Sequence, residues 1–267
     1  MPGRQRIRET FARLNARGQA AFMPYMPVGY PSPDLSPAIF HALVDAGADL
    51  IEVGVPFSDP LADGPTIQAA TQQALAQGVA PADAFALVRK LRAEGVTIPL
   101  ILMGYVNPIL AYGMARYVAD AAAAGADGFI VPDLPPDEAG ELEALAAEYS
   151  LAVIHLVAPT STSERQALAA AHSSGFLYLV SVTGITGARD ALPPHLADFV
   201  ARVRSHTDLP LAVGFGIGAP DQVRAVAELA DGVVVGSALV KQAGSDHPVE
   251  GVKELASSLA RAAHEGS

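Results

Sequence analysis

The chain has 267 residues, 51% of them apolar and 6% aromatic, with a formal net charge of −11 and no cysteine. That acidity excludes the basic face of a nucleic-acid binder. The missing thiols exclude disulfides, thiolate zinc sites and a cysteine nucleophile, and no apolar run reaches membrane-span length. The first predicted element is a short amphipathic helix covering one end of the fold, because Ile7, Phe11 and Leu14 share a helical face and Gly18 suits its end. The segment lacks the apolar stretch of a signal peptide, so a cytoplasmic location is expected. Apolar runs then predict strands at Ala21–Met26, Leu50–Gly54, Pro99–Met103, Gly128–Val131, Ala152–Val157, Phe176–Val180, Leu211–Val213 and Gly232–Val235. Amphipathic stretches between them predict helices at Pro37–Ala46, Pro81–Glu94, Met114–Ala124, Asp137–Tyr149, Ser163–Ser173, Pro194–Ser205 and Asp221–Leu229, with a last one from about His247 to His264. Ala46-Gly47-Ala48-Asp49 and Ala124-Gly125-Ala126-Asp127 each lead into a strand, with glycine where a helix stops in the left-handed conformation. The runs are continuous rather than alternating, which marks strands covered on both faces. The expected fold is α/β: a single (β/α)8 TIM barrel over residues 1–267 with an extra N-terminal helix. An open doubly wound sheet is the alternative.

In such barrels the chemistry lies on the loops that follow the strands. Glu52 interrupts the apolar run Leu50-Ile51-Glu52-Val53-Gly54. It is either a neutral acid raised in pKa by burial, or a structural carboxylate held by a partner. The next loop carries Asp59 and Asp63, each a turn residue or a second carboxyl over the barrel mouth. Three glycine-rich turns follow late strands: Thr183-Gly184-Ile185-Thr186-Gly187, Gly214-Phe215-Gly216 and Gly236-Ser237. Their free amides suit a phosphate group. Lys90 and Lys253 fall in predicted helices and Lys241 in the helix that Gly236-Ser237 opens, so Schiff-base chemistry is not expected. His155 is read as a satisfied core residue, and no cluster has metal-ligand spacing. The dinucleotide-binding glycine pattern is missing from the first strand–helix turn. What remains is carboxylate acid–base chemistry on a small phosphorylated molecule, without a cofactor in this chain.

The segment Glu52-Val53-Gly54-Val55-Pro56-Phe57-Ser58-Asp59-Pro60-Leu61-Ala62-Asp63-Gly64-Pro65 resembles the signature of the tryptophan synthase α subunit family. Similar stretches are Met103–Pro108, Val131–Pro135, Val180–Gly187, Gly214–Ile217 and Val235–Ala238, so the resemblance spans nearly the whole chain. It implies retro-aldol cleavage of indole-3-glycerol phosphate, with Glu52 as general acid–base and Asp63 hydrogen-bonding the indole N–H. It further implies an indole pocket with Tyr25, Tyr105, Tyr178 and Thr186. The implied phosphate site uses Gly187, Phe215, Gly216, Gly236 and Ser237, and the loop of Thr186 and Gly187 acts as a lid. The implied partner is a β subunit in an α2β2 complex, which alone carries pyridoxal phosphate. Asp59, Pro60, Asn107 and Pro108 would face it. Pro27 departs from the family pattern, which often has threonine there. Two other functions compete: another phosphate-barrel isomerase or synthase of amino-acid biosynthesis, and a non-catalytic barrel that activates a partner.

Overall fold

A computed structural model describes residues 1–181, 194–214 and 216–265. Its strands are β1 (Ala21–Pro27), β2 (Ile51–Gly54), β3 (Leu100–Met103), β4 (Gly128–Ile130), β5 (Ala152–Ile154), β6 (Leu156–Val157), β7 (Leu177–Val180), β8 (Leu211–Gly214) and β9 (Gly232–Val235). All are paired in parallel, in the order β5-β4-β3-β2-β1-β9-β8-β7-β6. Nearly every strand residue is buried, as expected of staves covered on both faces.

The predicted strand Ala152–Val157 is two segments separated by His155. Serine hydroxyls cause the break. Ser173 Oγ accepts the His155 amide at 3.1 Å, and Ser174 Oγ accepts that of Val153 at 3.0 Å. Strand β5 pairs with β4 and β6 pairs with β7, while the Tyr178 amide donates to the His155 carbonyl at 3.1 Å. The ring therefore closes through one interrupted stave, which makes an eight-staved barrel.

The helices are α1 (Gly3–Asn15), α2 (Ser36–Asp45), α3 (Pro65–Ala76), α4 (Pro81–Ala93), α5 (Val106–Tyr112), α6 (Met114–Ala124), α7 (Gly140–Glu148), α8 (Ser163–His172), α9 (Leu196–Arg204), α10 (Pro220–Ala227), α11 (Ser237–Ala243) and α12 (Pro248–His264). The predicted helix Asp137–Tyr149 is a 3-10 turn at Pro136–Glu138 followed by α7. Helices α3 and α5 were not predicted. Helix α3 buries only Ala70, Thr71 and Ala74, and α5 only Ile109, so neither carries a wide apolar stripe. Gly47 and Gly125 do end helices at positive φ, +99° and +94°.

Helix α1 lies across the N-terminal ends of the strands. The Arg4 amide donates to the Ser150 carbonyl, and the Phe11 ring packs 5.7 Å from Phe176. Three aspartates just before β2, β4 and β9 form matching clasps at this end. Asp49, Asp127 and Asp231 accept the backbone amides of Phe22, Leu100 and Leu211 respectively. Each also holds basic side chains: Arg13 and His264 at Asp49, Arg6 and Arg92 at Asp127, Arg204 at Asp231. The N-terminal end is thus closed by packing and ion pairs, and the opposite end carries the loops.

Candidate active site

Strand register sets Glu52 beside Tyr25 of β1 and Ile101 of β3. It is 1% exposed, and its Oε1 has no hydrogen-bond partner among the described residues. Burial alone holds its carboxyl well above the usual range. The unpartnered Oε1, with no arginine or lysine paired to it among the described residues, favours the first of the two readings over a carboxylate held by a partner.

Asp63 approaches from the loop after β2. Hydrogen bonds to α3 hold that loop: Gln68 Nε2 donates to the Asp63 carbonyl at 2.8 Å, and Gln72 Nε2 to the Ser58 carbonyl at 3.0 Å. The Tyr105 hydroxyl donates to Asp63 Oδ2 at 3.0 Å and accepts the Ala62 amide at 3.1 Å. Burial pushes the Asp63 carboxyl up to about 6, with the Tyr105 hydrogen bond acting in the opposite direction. The two carboxyls sit in different environments, one unpartnered and one hydrogen-bonded, which is how a protein separates acid from electrostatic roles.

Glu52 and Asp63 line one cavity, together with Tyr25, Tyr178, Gly216, Gly236 and Ser237. Tyr25 and Tyr178 are buried, and their hydroxyls lie where Gly54 and Gly214 would otherwise carry a Cβ. Gly214 thus makes room for a tyrosine, a role beyond a phosphate turn. Burial, followed by the neighbouring carboxyls, keeps both phenols protonated. Gly216 has φ +78°, a left-handed conformation that favours glycine. Gly236 and Ser237 open α11, whose first-turn amides have no carbonyl partner within the helix. Thr186, Gly187 and Phe215 lie outside the described residues.

Sequence reasoning missed Ile67, Met103 and Gly218, which also line the cavity. It also missed Thr71, whose hydroxyl pairs with Tyr25. Ile67 and Thr71 sit on the unpredicted α3, so their signal was lost with it. On the outer face Asp59 and Asn107 are exposed and Pro108 is half-buried. Pro60 is buried instead, lining a small pocket with Phe57 and Tyr105. As a correction, the exposed part of its loop is Ser58, Asp59 and Leu61, the last 90% exposed. His155 is satisfied: its Nε2–H donates to Glu143 Oε1 at 2.9 Å. Lys90, Lys241 and Lys253 sit on helices α4, α11 and α12, away from the cavity lining.

A closed parallel barrel with two buried carboxyls and a glycine rim at the C-terminal ends of its strands is the architecture of a (β/α)8 enzyme working by acid–base chemistry. The family described as "Tryptophan synthase alpha chain" matches residues 11–265, and the chain belongs to that family. Similar chains are the tryptophan synthase α chain of Roseiflexus castenholzii, 54% identical over 94% of this chain and 96% of that one, and that of Chloroflexus aggregans, 52% identical over 88% of each. Among solved structures, tryptophan synthase of Mycobacterium tuberculosis superposes with TM-score 0.90 at 42% identity, covering 97% of this chain and 98% of that one. Tryptophan synthase subunit α of Legionella pneumophila gives 0.89 at 38%, with the same coverage.

Proposed function

We propose that this chain, one folding unit over residues 1–267, cleaves indole-3-glycerol phosphate to indole and glyceraldehyde 3-phosphate. One observation carries the chemistry: Glu52 is buried with an unpartnered Oε1 in the same cavity as Asp63. Kept neutral by burial, Glu52 gives its proton to C3 of the indole. The ring nitrogen becomes cationic, and Asp63 stabilises it by accepting the N–H. The Glu52 carboxylate then takes the proton of the adjacent glycerol hydroxyl. The O–H electrons form the aldehyde C=O, the C–C bond breaks, and its electrons return to the ring to give indole. Glu52 ends protonated, as it began.

Tyr25, Tyr105 and Tyr178 border the indole on this reading, with Thr186 closing over it. Gly187, Phe215, Gly216, Gly236 and Ser237 hold the phosphate. No basic side chain lines the cavity among the described residues, so backbone amides and the α11 dipole supply the binding. A β subunit receives the indole, in an α2β2 complex docked on the face of Asp59, Asn107 and Pro108. Pyridoxal phosphate belongs to that partner. No helix of the described residues is long and apolar enough to cross a membrane, and we place the enzyme in the cytoplasm. No observation favours a different phosphate-barrel enzyme or a non-catalytic activator.

The test is indole formation from indole-3-glycerol phosphate, with and without a β subunit. Glu52→Gln is expected to lose turnover while keeping the wild-type circular dichroism. Asp63→Asn is expected to lose roughly 10²- to 10⁴-fold, the range for a positioned acid–base group. Near-normal turnover in Glu52→Gln would overturn the assignment.

A further inference from the structure

Tyr105 lies at the end of β3, just before α5. Its backbone is held from two sides: the Gly104 amide donates to the Ile130 carbonyl at 3.1 Å, and the Val106 amide to Asp133 Oδ1 at 2.9 Å. Its ring packs 5.5 Å from Phe57, which belongs to the same loop as Asp63. Its hydroxyl is fully committed, accepting from Ala62 and donating to Asp63 Oδ2. A hydroxyl has one proton, so with the Ala62 amide pointing at its oxygen, that proton is directed at the carboxylate. Asp63 Oδ1 has no hydrogen-bond partner among the described residues, and Asp63 lines the same cavity as Glu52.

We propose that Tyr105 is the positioning residue of Asp63: it occupies Oδ2, fixes the carboxylate plane, and leaves Oδ1 to accept the N–H of the bound ring. This rests on the function proposed above and adds to it a residue that acts through Asp63. The groups facing Asp63 are Tyr25 of β1, Glu52 of β2, Tyr105 and Tyr178 of β7, and Asp133 acts on Tyr105. All are acids, and the described lining residues include no cation. The tyrosine proton is therefore the positive dipole given to Asp63, and it favours the charged form against burial.

The experiment compares the pH dependence of kcat/KM for indole release in wild type, Tyr105→Phe and Asp63→Asn, with thermal melts on each. Wild-type turnover, strongly reduced in Asp63→Asn, first establishes that the underlying reading holds; an inactive wild type would sink that reading and not this one in particular. With that in place, Tyr105→Phe is expected to fold and to move the acid limb upward by about one pH unit, a tenfold gain in proton affinity, leaving the alkaline limb in place. A uniform drop at every pH with an unmoved acid limb would mean a merely structural role and overturn the proposal. Should the variant melt early, carbon NMR titration of the Asp63 carboxyl at a temperature where it is folded decides: an upward shift supports the proposal, an unchanged titration refutes it.

Discussion

At the scale of single residues, the site is built from groups that oppose the fold. Glu52 and Asp63 both have carboxyls raised by burial. Below the unfolded-state pKa each is protonated in both states and stability is unaffected. As pH rises through the window between the unfolded and folded values, the native state holds more protons than the unfolded one and stability falls. For Asp63 the window runs from 3.8 to about 6, a penalty on the order of 3 kcal/mol at pH 7. Asp63→Asn, which keeps an acceptor for Tyr105, is expected to raise the urea midpoint at pH 7 and to lose that advantage by pH 4. A variant no more stable than wild type at pH 7 would contradict the burial argument. Glu52 was legible in the sequence because a charge in an apolar run has few explanations. The role of Tyr105 was not, since its partners Ala62 and Asp63 lie 43 and 42 positions away. No local pattern reports such a contact.

At the scale of elements, legibility followed apolar patterning. Every predicted strand is present within one or two residues, and the split at His155 was hidden because it depends on serine hydroxyls from the chain around Ser173 and Ser174. Helix α3 was hidden for a different reason: it faces the barrel with alanine and threonine and turns glutamines outward, so its apolar period is faint. The repeated Ala-Gly-Ala-Asp segments were visible, but only their glycines had a reading. The structure supplies one for the aspartates. Each ties the strand it begins to the amide of a neighbouring strand, and anchors a helix through a basic side chain. The clasps differ in depth, since the Asp127 side chain is fully buried and the Asp231 side chain is 26% exposed. Asp127→Ala strands Arg6, Arg92 and the Leu100 amide, and is expected to cost about 3–5 kcal/mol in urea denaturation. Asp231→Ala, with one arginine and more solvent, is expected to cost less. The reverse ranking would show that burial does not set the strength of these clasps.

At the scale of the whole molecule, the two ends of the barrel have separate duties. The end crossed by α1 carries the aspartate clasps and closely packed aromatics. Ile7 meets Gly175, and Phe11 meets Gly232 and Phe176. The other end carries the cavity, whose carboxyls weaken the fold. Stability gained at one end offsets the strain of burying acids at the other. If that division holds, damage to the α1 end lowers stability without touching the chemistry. Phe11 is 4% exposed, and Phe11→Ala removes a ring whose loss costs about 3–5 kcal/mol in a packed core. Its urea midpoint is expected to fall accordingly, while kcat/KM for indole release, measured well below the new melting point, stays within about twofold, a change in barrier of under about 0.4 kcal/mol. A loss of turnover comparable to that of Asp63→Asn would mean that α1 sets the geometry of the distant carboxyls, and that the barrel transmits packing from end to end.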